Sequence, residues 1–376
     1  MSDTSHKVPR GICPRALCIL GMYESGTSPI ARCLNMLGAY LGDEADFLPA
    51  SPDNPDGYCE RKDILDLHNR ILARFNKTWD ILTPLPGQWN LSPMVHSFKE
   101  DLIGLITKAF SKHRLWAWKD PKTCLLLPLW KDALRQLNTD LLCVFVFRNP
   151  LDVAKSLKKR IGFPYEKSFG LWFYHNVSAL MEIEDVKTVL LPFDVFPENW
   201  ESELRRCAKE LALAWPENDT NLREKVTSFF RPDLRSRAST LADLHAFSAP
   251  APVIRLYELL VGVTSSDKMK FTDLLNEANK LFGEYYEYAR FFQDDIMEKD
   301  FAIQNLCRLG TEQAKTVSEQ AKTVSEQAKT ISEQAKTISE QAEIIRGMTN
   351  ALSWKITTPL RWLGDVLIKA GILTKK

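Results

Sequence analysis

The sequence predicts an α/β protein, a parallel sheet with flanking helices, that carries a long α-helical coiled-coil extension at its C-terminal side. Three observations point there. Between Arg15 and about Trp200 short apolar runs alternate with helix-periodic stretches, the pattern of strands buried on both faces by crossover helices. Beyond Trp200 the pattern turns helical, and from Thr311 the chain repeats itself every seven residues, as coiled coils do.

The first strand is Ala16 to Gly21 (ALCILG), which runs into a turn of small residues and the apolar-periodic segment Ile30 to Leu41. Leu115 to Trp118 precedes the helix-like Thr123 to Leu137. Leu141 to Phe147 (LLCVFVF) is a continuous apolar strand feeding Pro150 to Arg160, a helix with proline at its first position, where a missing N–H does no harm. Thr188 to Phe193 is a further strand, and Glu201 to Ala214 and Asn221 to Phe230 are helices. A Pro/Ser-rich break at Phe247 to Pro252 precedes long helical stretches to about Leu309. In such a sheet ligands bind where strand C-termini feed helix N-termini.

The repeat places Ala314, Ala321, Ala328, Ala335 and Ala342 at heptad position a and Val317, Val324, Ile331, Ile338 and Ile345 at d. Glu and Lys fall at f and b and pair along one helix, while e and g carry uncharged Ser and Gln, so partner choice is weakly specified. Alanine at every a position makes a thin seam. Two readings stay open: a homo-oligomer through 311–345, or a single solvated spacer of about 50 Å at 1.5 Å per residue. The tail 353–376 combines two tryptophans, an aliphatic cluster and five cations against Asp365. It is an amphipathic basic segment for a membrane surface or for a partner coil. The expected organisation is a flexible N-terminus (1–14), an α/β domain (15–260), a helical connector (261–310), the coil (311–350) and the basic tail (351–376).

The 376 residues are 45% hydrophobic and 26% charged, and 49 Lys+Arg against 48 Asp+Glu leave a net charge of +1. That balance excludes nucleic-acid binding by bulk charge, so any anion site must be built locally. Eight cysteines lie scattered in apolar stretches without a CxxC pair or a His cluster, which reads as reduced core thiols with no metal. Met1 to Arg10 is polar and no run of 18 apolar residues occurs. The expected location is the cytoplasm, peripheral at the inner face of the membrane if the tail docks there.

Two segments carry anion chemistry. Met22-Tyr23-Glu24-Ser25-Gly26-Thr27-Ser28-Pro29 joins the first strand to a helix start; backbone amides of such a turn, with the hydroxyls of Ser25, Thr27 and Ser28, form an anion cradle. It lacks the GK[ST] of a nucleotide-hydrolysing loop. After LLCVFVF come Arg148 at a strand end and Ser156 eight residues on, inside the next helix, a guanidinium and a hydroxyl suited to one phosphate. Two such sites at neighbouring strand ends imply a ligand with two separated anionic groups.

The pair GMYESGTS and FRNPLDVAKSL resembles the phosphosulfate loop and the 3′-phosphate motif of sulfotransferases that use 3′-phosphoadenosine-5′-phosphosulfate. The intervening DNPDGYCERKDILDLHNRIL and WKDPKTCLLLPLW look like the bacterial branch of that family, often associated with surface-polysaccharide biosynthesis. The likeness runs in order from about Leu17 to Trp200. It implies a P-loop-type sulfotransferase fold, Ser25, Gly26, Thr27 and Ser28 on the 5′-phosphosulfate, Arg148 and Ser156 on the 3′-phosphate, and a glycan or glycolipid acceptor. Glu60 stands where the family-like segment holds an acid and is the expected base, with His68 second. The bland alternatives are an ion pair of Glu60 with Arg61 or Lys62 and a helix-surface His68.

One departure stands out. Family loops usually carry Arg or Lys where this chain has Glu24, and a carboxylate about 5 Å from the donor anion costs roughly 3 kcal/mol at an effective dielectric of 20. Lys119 or Lys122 in WKDPK is the expected compensating cation, and Lys119 the expected stabiliser of the leaving oxygen. An active transferase and a catalytically degenerate scaffold for polysaccharide assembly are the competing functions. Glu24 favours the second; Arg148, Ser156, Lys119 and Asp120 favour the first.

Overall fold

Four parallel strands, β1 (Arg15–Leu20), β2 (Leu115–Lys119), β3 (Asp140–Phe147) and β4 (Lys187–Pro192), lie in the order β2-β1-β3-β4. The computed structural model describes residues 13–50, 57–229, 238–263, 268–291 and 293–372. Residues 1–12 of the expected flexible N-terminus, 53–56 of the DNPDGYCERK stretch and 373–376 of the tail lie outside them. Because β1 has β2 on one side and β3 on the other, the chain reverses its winding at β1. The crevice at the C-terminal ends of β1, β2 and β3 is thereby the ligand position of an open α/β sheet.

The helices are α1 (Thr27–Met36), α2 (Lys62–Arg74), α3 (His96–Phe110), α4 (Thr123–Gln136), α5 (Pro150–Ile161), α6 (Tyr165–Met181), α7 (Phe196–Glu210), α8 (Thr220–Phe229), α9 (Leu241–Ala246), α10 (Ala251–Gly262), α11 (Lys268–Phe291) and α12 (Gln293–Lys369). Alternate strand residues serve two cores, as the period of two requires. Leu17, Ile19, Val144 and Val146 pack with α1, α7 and α8 on one face. Cys18, Trp116, Trp118, Phe145 and Phe147 face α2 to α6, α10 and α11 on the other, where Trp118 stacks on Trp130 at 4.1 Å between ring centres. Burial pushes the thiols of Cys33, Cys124 and Cys207 up to about 12, so they are inert packing groups at neutral pH.

The compact unit reaches Met297, beyond the expected boundary at 260. Leu274, Leu275, Ala278 and Leu281 of α11 are buried in the same core as α6, so α11 closes the domain instead of connecting it to the coil. Glu298–Lys376 forms the second unit. Within it the repeat runs in one unbroken helix, and Val317, Val324, Ile331, Ile338 and Ile345 are each 63–65% exposed. Counting on in sevens from Ala314 and Val317 puts Ile356 and Leu363 at a and Val366 at d, with Thr349 at a and Pro359 at d interrupting the apolar stripe. No helix among the described residues is long and apolar enough to cross a membrane.

Because Val317, Val324, Ile331, Ile338 and Ile345 of the repeat are exposed, a chain ending at Leu309 is expected to melt cooperatively like the full chain. It is also expected to scatter light as a smaller species. Loss of the cooperative melt would show that the repeat supports the α/β domain.

Candidate active site

The loop after β1 is shaped by two glycines. A Cβ at Gly21 (φ +150°) would lie 2.5 Å from the Val146 carbonyl oxygen, and one at Gly26 (φ +83°) would lie 2.1 Å from the Phe193 ring; only glycine fits either place. Glu24 between them holds the left-handed φ of +66°, which costs a residue with a Cβ about 1 kcal/mol. The Ser25 amide donates to the Met22 carbonyl (3.2 Å) and closes the turn. α1 then opens without a side-chain cap, leaving its positive end to the first-turn amides. Ser25 is fully buried, and its Oγ has no hydrogen-bond partner among the described residues.

The loop borders a cavity of about 620 Å³ at the strand ends, whose wall includes Gly26, Thr27, Ser28, Glu60, Lys119 and Arg148. Volumes of ~300–1,000 Å³ are usual for small-ligand sites. Lys119, at the end of β2, donates from Nζ to Ser28 Oγ (3.3 Å), to the Tyr58 carbonyl (3.4 Å) and to Glu60 Oε1. Ser28 Oγ donates to the same Tyr58 carbonyl at 3.1 Å. Glu60 therefore pairs with Lys119 and not with its chain neighbours: Arg61 is engaged by Asp46 and Asp63, and Lys62 by the Ala45 carbonyl. A cation and a carboxylate, both nearly buried, stand side by side beside the anion loop.

His68 has a different place from either expectation. It is fully buried on α2, off the cavity wall. Trp130 Nε1–H donates to its Nε2 (2.8 Å), so the ring proton sits on Nδ1 and is donated to Asp120 Oδ2 at 2.9 Å; a neutral imidazole in that tautomer has no lone pair left for substrate. The second candidate base thus has both ring nitrogens engaged, by Trp130 and Asp120. Asp120 in turn accepts the Lys122 amide (2.9 Å) and faces its Nζ (3.2 Å). Burial pushes the Asp120 carboxyl up, but the Lys122 charge and the His68 bond outweigh it and hold it below the usual carboxylate range. Lys122 Nζ donates to Tyr23 OH (3.1 Å) on the cavity wall, a preorganised cation that the sequence offered only as a substitute for a missing one.

Arg148 leaves β3 onto the cavity, donates to the Glu24 carbonyl (2.9 Å) and lies over the Phe193 ring (5.8 Å). Ser156 is half-buried on α5 and lies off the cavity wall, as does Ser25. The cation opposite Glu24 is neither Lys119 nor Lys122, which are held by Glu60 and Asp120. It is Arg160, whose Nη1 donates to Glu24 Oε1 at 2.7 Å. Among the described residues the wall carries four cations, Lys119, Lys122, Arg148 and Arg160, against Glu24 and Glu60, an excess of positive charge that suits an anion.

Asp194 ties the ends of β3 and β4 together: its Oδ2 accepts from the Asn149 amide (2.8 Å) and Tyr257 OH (3.0 Å), while its buried Oδ1 has no partner among the described residues. Burial raises the Asp194 carboxyl to about 6 and lowers His175, on α6, to about 4. The folded chain keeps the Asp194 proton that the unfolded chain gives up near pH 4, so this group's contribution to stability falls as pH rises from about 4 to 6. His175 works in the opposite sense, because the unfolded chain binds its proton below pH ~6.5 and the folded chain does not. Asp194→Asn removes only the falling part. Its melting temperature relative to the parent is expected to rise between pH 4 and 6.5, by the equivalent of up to about 3 kcal/mol. A constant offset across that range would place the Asp194 proton elsewhere.

No family model and no curated protein matches the chain. Among solved structures it is similar to the sulfotransferase domain of the Synechococcus PCC 7002 olefin synthase, at 14% identity over 67% of this chain and 97% of that one, with a TM-score of 0.36. Sulfotransferase STF9 from Mycobacterium avium is similar at 13% identity over 74% of this chain and 77% of that one, with a TM-score of 0.37. A sulfotransferase from Alicyclobacillus acidocaldarius is similar at 18% identity over 65% of this chain and all (100%) of that one, with a TM-score of 0.31.

Proposed function

We propose that the protein transfers a sulfuryl group from 3′-phosphoadenosine-5′-phosphosulfate to a hydroxyl of a glycan or glycolipid. One observation carries this reading: the loop, the Lys119–Glu60 pair and Arg148, far apart in sequence, line one cavity at three adjacent strand ends. Gly26, Thr27 and Ser28 would receive the phosphosulfate and Arg148 the 3′-phosphate. Glu60 takes the proton of the acceptor hydroxyl as its oxygen forms the new bond to sulfur, and Lys119 and Lys122 stabilise the charge gathering on the bridging oxygen as the old S–O bond breaks. The products are a sulfate ester and 3′-phosphoadenosine-5′-phosphate.

Trp79, tilted against Tyr23 at 4.3 Å between ring centres, is an aromatic residue of the cavity wall, which also includes Asn69; aromatic side chains of this kind are surfaces that sugar rings pack on. We place the protein at the cytoplasmic side of the membrane, where a glycolipid acceptor and the basic tail would meet, with copies joined through the stripe that starts at Ala314. The scaffold alternative takes its support from Glu24, and the pairing of Glu24 with Arg160 supports the enzyme reading instead. Incubating the protein with radioactive donor and native cell extract tests the proposal: label in a glycan or glycolipid fraction supports it, and its absence with folded protein contradicts it.

A further inference from the structure

Two arginines from opposite ends of α5 converge on one loop residue. Arg148, just before the helix, donates to the Glu24 carbonyl at 2.9 Å, and Arg160, in its last turn, donates to the Glu24 carboxylate at 2.7 Å. Both line the cavity. Arg160 is fixed at a second point as well, with Nη2 donating to Tyr58 OH at 2.6 Å and its guanidinium 5.4 Å over the Tyr58 ring. Tyr58 in turn accepts, on its carbonyl, from Ser28 and Lys119, so Arg160 is joined to the loop on both of its sides. The side chains of Arg160 and Glu24 are 30% and 22% exposed, less than a surface ion pair would show. A guanidinium held this way is preorganised and loses little further freedom on meeting a ligand.

From this we infer that Arg160 is an anion-contacting residue of the cavity, serving the 5′ end of the donor, with Glu24 as the carboxylate that holds it over the loop. The inference rests on the donor reading above. Arg160 brings to the loop a positive charge that offsets Glu24, so its removal leaves the ligand facing the Glu24 charge unopposed. Arg148 serves the other end of the same ligand, which divides the two arginines between two separable anionic groups.

Calorimetric titration with 3′-phosphoadenosine-5′-phosphate and with adenosine 3′-monophosphate separates these roles. Arg160→Gln is expected to weaken the first ligand by about tenfold or more, the scale of a charge-assisted hydrogen bond, and to leave the second within about twofold. Arg160→Glu should weaken the first ligand further, and combining it with Glu24→Arg, which reverses the pair in place, should return affinity to within about fivefold of the parent. If the parent binds and Arg160→Gln binds the bisphosphate equally well, or loses both ligands equally, the assignment of Arg160 is wrong while the donor site stands. If the folded parent binds neither ligand, the donor reading itself falls, and this inference with it.

Discussion

Replacing Lys119 with alanine is expected to lower sulfuryl transfer by about 100-fold or more, the scale on which one preorganised electrostatic stabiliser acts. Its ammonium joins the loop hydroxyl of Ser28, the carbonyl of Tyr58 and the carboxylate of Glu60. The substitution also strands Glu60, almost fully buried, without its partner. Breaking such a pair costs about 3–5 kcal/mol of folding stability. Thermal melts must therefore accompany the rate measurements. Lys119→Arg separates the two effects, because it keeps the charge and the Glu60 partner while moving the donors. It should melt near the parent temperature and still transfer slowly. Full activity in Lys119→Ala would remove this residue from the chemistry.

Arg148→Ala is expected to weaken binding of 3′-phosphoadenosine-5′-phosphate by about 2–5 kcal/mol, as when a charged pair loses one partner. The backbone at this position does not depend on the side chain: the Arg148 carbonyl accepts from Trp172 Nε1 at 3.0 Å, and Asn149 is anchored by Asp194 at 2.8 Å. The strand end should therefore keep its place in the variant. Adenosine 5′-phosphosulfate, which lacks the 3′-phosphate, should bind parent and variant alike. A variant that loses both ligands in equal measure would show that Arg148 acts by bracing the Glu24 carbonyl and the loop, not by holding the 3′-phosphate.

The strands were legible because β1 and β3 are short apolar runs punctuated by small or polar residues, and the loop and Arg148 because they sit directly at strand ends. α6 was not read: Phe169, Leu171, Trp172, Phe173 and Val177 are buried around the whole helix, so no polar face gives it a period. The burial of His68 was readable, since Ile64, Leu67, His68, Ile71 and Leu72 are spaced as one apolar stripe of α2. Arg160 was not, because its partner lies 136 residues away. Only the path of α5 back along the cavity brings it to Glu24, and the repulsive residue that the sequence displays conceals a compensated one. Ser156 shows the reverse failure: a motif position can be present while its side chain sits off the cavity wall.

The donor site is tested most directly by calorimetric titration of the intact protein with 3′-phosphoadenosine-5′-phosphate. Saturable heat at one site per chain, weakened at least tenfold by Arg148→Ala, is the predicted result. A folded, cooperatively melting parent that gives no binding heat, and that fails to exclude the ligand from equilibrium dialysis, would contradict it.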